Sequence, residues 1–222
     1  MIMKPTSAEV EAGQAVYNKN VLSAYDLIVI SISNHYIWKS PSSLIEAHYN
    51  ANVSSNHLDV GVGTGYFLDR CQFPTDNPRV ALMDLNANSL AFTSKRLGRY
   101  RPETFRQNVL EEISTPIEPF DSIGANYLLH CLPGAIAEKA IVFDHLKSLM
   151  KPGARVFGST ILQGGVERSW LAKKLMNLYN KKGIFSNTQD SLEGLQSALF
   201  QRFKNVTIEV TGCVALFSGQ AQ

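Results

Sequence analysis

Residues 58–66 read LDVGVGTGY, with three glycines on alternate positions after an acidic residue, and this stretch decides the fold. A strand-like apolar run ends in the turn, and a helical pattern follows at about 65–72. Such a unit presents free backbone N–H groups and the positive end of a helix dipole to a ligand. We therefore expect a nucleotide-like ligand at this loop. The alternative is a glycine turn that only joins a strand to a helix.

The glycine spacing argues against two common nucleotide-binding loops. Gly61 and Gly63 fit the dinucleotide fingerprint G-x-G-x-x-G, but its third small position is Tyr66 here. The long glycine spacing and the Lys-Ser/Thr pair of a Walker A loop are also missing. Neither NAD binding nor kinase or ATPase chemistry is therefore predicted.

Composition places the chain among ordinary globular proteins. It has 222 residues, 45% of them hydrophobic and 18% charged, which suits one α/β domain that folds alone. The net charge is +2 and the only dense basic run is KRLGRYR at 95–101, so no nucleic-acid partner is expected. Nothing in the sequence indicates an oligomeric state.

Cysteine usage and hydropathy bear on the compartment. The three cysteines have no metal-ligand spacing, so we expect a reduced protein and no metal site. The apolar stretch at 27–32 is shorter than the ~20 residues of a spanning helix. The N-terminus also lacks the apolar run of a secretory signal. The cytoplasm is the expected compartment.

From about residue 53 onward, strand-like runs alternate with helical patterns, which is typical of a mostly parallel sheet with helices on both faces. The strand candidates are HLDVG, RVALMD, ETFRQNV, FDSIGANYLL, ARVFGSTIL, VTIEV and CVALFS. Helices are expected at about 65–72, 88–100, 135–150, 166–182 and 191–203. Only Thr211 and Gly212 separate the last two strands, so these should pair as an antiparallel hairpin.

The glycine motif, an acidic residue followed by G-x-G-x-G, resembles motif I of class I S-adenosylmethionine-dependent methyltransferases. Asp84 at the end of RVALMD and the Lys-Pro-Gly of LMKPGARVF extend the resemblance over nearly the whole chain. It implies a Rossmann-like α/β fold, whose seven-stranded, mostly parallel sheet ends in an antiparallel hairpin. It also implies S-adenosylmethionine as cofactor and a small, partly apolar methyl acceptor. A fold repurposed for another reaction, or for cofactor binding alone, stays open.

The same resemblance implies roles for individual residues at the cofactor. The glycines Gly61, Gly63 and Gly65 would approach its methionyl part, and Asp59 would accept from its ammonium group. Asp84 would bind both ribose hydroxyls, although an Asp at a strand end also serves as a helix cap, here near Asn88. The remaining residues implied to contact the cofactor are Tyr25, Leu85, Asn108, Val109 and Asn126.

Residues 1–52 are expected to form a helical lid before a methyltransferase domain at 53–222. The segment VYNKNVLSAYDLIVISISNHYIWK resembles the opening of the quinone-biosynthesis branch of the family. That resemblance places Tyr25 at the methionyl end of the cofactor and makes Trp38 an anchor of the lid. His35 and Tyr36 are further candidates for contact with the acceptor. Aromatic residues at helical spacing are more often core residues, which is the alternative.

Methyl transfer from a sulfonium needs orientation and exclusion of water, and a general base is optional. His130 is the candidate base because it follows the fourth strand, at the edge where open α/β sheets bind ligands. The alternative is a packing residue whose imidazole is bonded to backbone.

Overall fold

The computed structural model describes residues 33–222, so Tyr25 and the rest of residues 1–32 lie outside the described part of the chain. Within that part, one seven-stranded sheet is covered by helices. The strands are β1 (Asn56–Val60), β2 (Arg79–Asp84), β3 (Glu103–Arg106), β4 (Phe120–Asn126), β5 (Met150–Ile161), β6 (Lys204–Thr211) and β7 (Val214–Gln220). The helices are α1 (Ser42–Asn52), α2 (Tyr66–Arg70), α3 (Ala87–Arg96), α4 (Ile136–Lys139), α5 (Ile141–Lys147), α6 (Trp170–Lys181) and α7 (Leu192–Phe200).

The strand order is β3-β2-β1-β4-β5-β7-β6, and the seven strands are the number that the resemblance implied. Strands β1 to β5 pair in parallel, and β7 runs antiparallel between β5 and β6. The predicted hairpin is confirmed, but Thr211 pairs with Val214, so its turn residues are Gly212 and Cys213, one position later than predicted. Gly212 has φ 59°, and a Cβ there would collide with the carbonyl oxygen of Trp38. The close approach of segment 33–40 to the hairpin therefore requires this glycine.

Two predicted boundaries are wrong for local reasons. The third strand stops at Arg106 because the Asn108 side chain turns the chain, its Oδ1 accepting from Leu110 N–H at 3.1 Å. The helix predicted from 166 begins at Trp170, since the Ser169 hydroxyl caps it by accepting from Ala172 N–H at 3.1 Å.

The helix predicted at 135–150 is two helices, α4 and α5, separated at Ala140. Its last predicted residue, Met150, belongs to β5 instead, because it pairs with Phe120 of β4. We have no physical account of the break at Ala140.

The sheet is buried on both faces, as β2 shows. Its side chains alternate, with Ala81 and Met83 in one hydrophobic cluster and Val80 and Leu82 in the other. The near-continuous apolar run RVALMD therefore reflects helices on both sides. Strand order reverses between β1 and β4, and the carboxyl ends of parallel strands bind ligands at such a point. No helix within residues 33–222 has the length and apolar character needed to cross a bilayer.

Candidate functional site

A cavity opens at the carboxyl ends of β1, β2 and β4, where the strand order reverses. The loop after β1, the loop after β2, the turn after β3 and the loop after β4 all contribute to its wall. The lining residues are Gly61, Gly63, Asp84, Leu85, Asn86, Ser89, Gln107, Asn108, Val109, Tyr127, Leu128, Cys131, Leu132 and Pro133. Six of the residues predicted to contact a cofactor, two of the motif glycines among them, thus share one cavity, whereas Asp59, Gly65 and Asn126 are not in its lining.

The motif glycines are required by backbone shape and by crowding. Gly61, Gly63 and Gly65 have φ of 68°, 50° and 68°, which is left-handed backbone that L-residues rarely adopt. A Cβ on Gly65 would lie 2.5 Å from the Thr93 methyl, whereas a Cβ on Gly63 meets nothing within 4 Å. The Thr93 hydroxyl in turn donates to the Gly63 carbonyl at 3.0 Å. Helix α3 therefore braces the loop, and Gly63 is left facing open space.

Asp84 ends β2 with a buried carboxyl group. Burial raises its pKa to about 6, against the opposing effect of N–H donors from Asn86 and Gly63. The Asn86 N–H donates to Asp84 Oδ1 at 2.8 Å. The cap of α3 is Asn86 itself, whose Oδ1 accepts from Asn88 N–H at 2.8 Å. Asp84 is therefore not the helix cap, and its carboxyl lines the cavity.

Asp59 lies behind the glycine loop in a network that sequence reasoning missed. The Tyr49 hydroxyl of α1 donates to Asp59 Oδ1, and burial together with Asp59 raises the pKa of Tyr49 well above its usual range. A Cβ on Gly124 of β4 would lie 2.7 Å from the same Oδ1, so only glycine leaves room there. Buried His57 stands next to the pair, with its Nδ1 2.8 Å from the Ser122 hydroxyl. The network fixes Asp59 Oδ1 between α1 and the sheet.

Leu85, Asn108 and Val109 line the far end of the cavity. The Asn108 side chain is already engaged, because its Nδ2 donates to Glu111 at 2.9 Å and its Oδ1 accepts within its own turn. Asn126 is not in the lining. Its Oδ1 accepts from the Ser159 hydroxyl at 3.1 Å, and its buried Nδ2 finds no hydrogen-bond partner within the described chain.

His130 is 3% exposed and does not belong to the cavity lining. Its Nδ1 accepts from Ile161 N–H at 3.3 Å, so the proton of the neutral ring lies on Nε2. The Phe185 ring stands edge-on, with centroids 4.5 Å apart. Burial, with Lys139 nearby, lowers the pKa of His130 to about 3. This environment matches the alternative of a packing residue bonded to backbone.

The candidate acceptor residues of segment 33–40 divide into two groups. His35 and Tyr36 are exposed and lie edge-to-face, with ring centroids 4.7 Å apart. Trp38 is 2% exposed and packs 6.0 Å from the Phe185 ring. Its carbonyl accepts from Cys213 N–H at 3.1 Å, which fastens the segment to the hairpin turn.

Thiol and metal chemistry find no support at the cavity. Cys131 lines the cavity, but burial raises its pKa to about 12, so it is a neutral thiol at physiological pH. Residues 33–222 contain no group of three His, Cys, Asp or Glu side chains arranged to hold a metal ion.

Comparison with known proteins identifies relatives of similar length. A family model described as "Methyltransferase domain" matches residues 58–156. The chain is 41% identical over 205 residues to demethylluteothin O-methyltransferase of Streptomyces thioluteus, covering 92% of this chain and 89% of the relative. It is 35% identical over 215 residues to the physcion biosynthesis cluster O-methyltransferase of Aspergillus chevalieri, with 96% of each chain covered.

Solved structures share the fold at low identity. A DhpI–SAH complex has a TM-score of 0.67 at 17% identity, covering 97% of this chain and 98% of its own. The N-methyltransferase NodS of Bradyrhizobium japonicum WM9, in complex with S-adenosylhomocysteine, has a TM-score of 0.63 at 12% identity, covering 97% and 99%. At such identities the likeness bears on the fold alone.

Proposed function

The chain belongs to the S-adenosylmethionine-dependent methyltransferases, and we propose that it methylates a hydroxyl oxygen of a small, partly apolar metabolite. The observation that carries the proposal is one cavity in which the glycine loop and the buried Asp84 carboxyl converge. Two relatives that match nearly end to end are O-methyltransferases of natural products, which favours oxygen as the acceptor atom. The Tyr127 side chain, which lines the cavity, favours an aromatic ring in the acceptor.

Three features of this chain suit the cofactor, two of them in the cavity lining and the third, Asp59, outside it. The Asp84 carboxyl is held by backbone N–H groups and faces the cavity, where it would accept from both ribose hydroxyls. Open space over Gly63 admits the methionyl part of the ligand close to backbone. Asp59 keeps Oδ2 for the ammonium group, because Tyr49 occupies only Oδ1.

The rest of the proposed cofactor contacts surround the adenine and the methyl group. Leu85 and Val109 would supply apolar contact to the ring, and Asn108 Oδ1, which accepts from Leu110 N–H, would accept a second hydrogen bond from its amino group. Asn126 offers its unpaired Nδ2 at the end of β4. Residues 1–52 remain proposed as a lid, with Tyr25 at the methionyl end, before the domain at 53–222. His35, Tyr36 and Trp38 remain proposed acceptor contacts.

When bound, S-adenosylmethionine supplies an electrophilic methyl group on a sulfonium that becomes a neutral thioether. The protein's part is to align the acceptor oxygen with that methyl group and to exclude water. The loop after β4 is suited to this task, because Tyr127 and Leu128 line the cavity while Leu129 and His130 anchor the loop in the protein interior.

The general-base role of His130 stays a prediction, and its surroundings favour transfer by orientation alone. A base with a pKa of about 3 holds almost no proton at neutral pH and abstracts one weakly. Removal of a general base by His130→Ala should lower kcat by roughly 10²-fold or more. The control is His130→Gln, whose side-chain oxygen can still accept from Ile161 N–H. If His130 only packs, His130→Gln keeps wild-type kcat.

The function is tested by incubating the protein with methyl-labelled S-adenosylmethionine and a panel of phenolic and enolic metabolites. Label in an O-methylated product, together with S-adenosylhomocysteine, is the expected result. Label confined to amines or carbon atoms would contradict oxygen as the acceptor. Conversion of a substrate without loss of label from the cofactor would replace methyl transfer with the repurposed-fold alternative.

A further inference from the structure

Tyr127 has a backbone conformation that is unfavourable for its residue type. It follows β4 directly with φ 54°, in the left-handed region that costs a bulky L-residue roughly 1–2 kcal/mol. Its N–H donates to the Ser159 carbonyl of β5 at 2.8 Å, which fixes the strained backbone to the sheet. Strain of this kind is retained where the side chain is needed in one direction.

That direction places the Tyr127 side chain between two parts of the molecule. Tyr127 lines the cavity together with the glycine loop, and its ring stands edge-on to Phe67 at 6.4 Å between centroids. Its hydroxyl donates at 2.9 Å to Oδ1 of Asn34, a residue outside the cavity lining. One side chain thus contacts both the proposed cofactor space and segment 33–42.

Asn34 is hydrogen-bonded to other residues of segment 33–42 as well as to Tyr127. It is fully buried, and its Nδ2 donates to the Ser42 hydroxyl, the first residue of α1, at 3.1 Å. Its carbonyl accepts from Ser40 N–H at 2.8 Å. The two ends of the segment therefore meet at Asn34. His35 and Tyr36, the proposed acceptor contacts, follow it directly in the chain.

We propose that the hydrogen bond from Tyr127 to Asn34 couples the cofactor cavity to segment 33–42, so that cofactor bound against the Tyr127 ring fixes this segment for the methyl acceptor. Tyr127 is then a positioning residue for the acceptor side. The inference rests on the proposed function, because it needs a cofactor in the cavity. It also accounts for a tyrosine at a position where backbone shape alone favours glycine.

The test is amide hydrogen exchange with S-adenosylhomocysteine as the only ligand. In the wild type, the ligand should slow exchange of the Trp38 and Ser40 amides, which donate to the Ser33 and Asn34 carbonyls, by about tenfold. Tyr127→Phe keeps the ring and removes the hydroxyl. Calorimetry gives the Kd of this variant, and at a ligand concentration that saturates it the added protection should be lost.

A second variant and a control separate the coupling from simple damage. Asn34→Ala leaves the cavity wall untouched and should lose the same added protection, and the double variant should lose no more than either single one. Tyr100→Phe, outside the cavity lining, should behave as wild type. If the ligand still adds the same protection in Tyr127→Phe or in Asn34→Ala, the coupling is contradicted, whereas the proposed function is not affected. Absence of ligand binding to the wild type would instead reject the proposed function.

Discussion

The Asp84 carboxyl should determine how cofactor affinity depends on pH. Burial raises its pKa to about 6, and in the proposed ribose role only the ionised form would accept from both hydroxyls. Affinity for S-adenosylhomocysteine should be constant above about pH 7 and fall as the pH drops through about 6. Calorimetry across this range measures it. Asp84→Asn should bind about 100-fold more weakly at about pH 8 and show little pH dependence, since a charge-assisted bond contributes ~1.5–3 kcal/mol. A wild-type affinity that does not change with pH would contradict the ribose role.

The same carboxyl should make the ligand-free protein less stable at high pH. Its pKa is about 6 in the folded state and 3.8 in the unfolded state. Between about pH 4 and pH 6 the folded state therefore holds a proton that the unfolded state has lost. Stability therefore falls as the pH rises through this window, by about 3 kcal/mol at 1.36 kcal/mol per pKa unit. Urea unfolding of Asp84→Asn should show a gain at about pH 8 that is absent near pH 4. Asp76→Asn, at an exposed position, should show no such gain.

Single residues differ in how far their chain neighbours reveal them. Asp84 was predicted because it ends an apolar strand after a glycine loop, and both features lie in nearby sequence. The role of Tyr49 was not predicted, because its hydrogen bond to Asp59 joins α1 to β1 and no local sequence pattern indicates it. For His130 the position on the loop was predicted and a packing role was the stated alternative, but its contact with the Phe185 ring, far along the chain, was not predicted.

At the scale of elements, a substitution in the loop after β1 should weaken ligand binding while it lowers the stability of the folded protein only slightly. Gly63→Ala places a Cβ in open space, so the folded protein pays only the backbone strain of φ 50°, roughly 1–2 kcal/mol. The methyl group projects where the cofactor approaches, so affinity for S-adenosylhomocysteine should fall by at least about tenfold. Gly98→Ala also meets nothing within 4 Å and has no left-handed backbone, so it is the matched control. Equal affinity in Gly63→Ala and wild type would place the ligand elsewhere.

The stability of the segment before α7 should depend on a buried ion pair. Lys139 Nζ of α4 donates to Asp190 Oδ2 at 2.7 Å and to the Ser186 carbonyl, and both side chains of the pair are fully buried. Lys139→Met leaves Asp190 buried without its cation, which should cost about 3–5 kcal/mol in urea unfolding. Adding Asp190→Leu should restore much of that loss.

The control for this pair is the exposed ion pair of Lys151 with Asp121. Lys151→Met should cost less than about 1 kcal/mol, because exposed pairs contribute little. A loss in Lys139→Met no larger than this would show that the buried pair does not hold the segment.

Element types were predicted more accurately than element ends. Alternating strand and helix patterns identified all seven strands, since burial on both faces makes each central strand a short apolar run. The ends depend on single side chains that compete with the regular backbone. Ser169 caps α6 and Asn108 turns the chain after β3, and neither effect follows from periodicity.

At the scale of the whole molecule, the sequence predicted the number of strands and the hairpin, but not the order of the strands in the sheet. Periodicity shows that strands exist, while their order depends on which helices cover which face. The hairpin is the exception, because a two-residue connection permits only antiparallel pairing. The contact of segment 33–40 with that hairpin lay beyond both arguments, since it joins distant parts of the chain.

The proposed cofactor site draws on β1, β2 and β4 at the centre of one sheet, so ligand binding should stabilise the molecule as a unit. S-adenosylhomocysteine at about 100 times its Kd should add about 2.7 kcal/mol to the free energy of unfolding. For a domain of this size that corresponds to a rise in Tm of about 5–10 °C. The transition should stay single, because the ligand contacts strands that share both hydrophobic clusters. NADH, measured in parallel by scanning calorimetry, should leave Tm unchanged, and Asp84→Asn should reduce the response to S-adenosylhomocysteine. A rise with NADH and none with S-adenosylhomocysteine would contradict the assignment of this cavity, whereas two separate transitions would contradict a site built across one cooperative sheet.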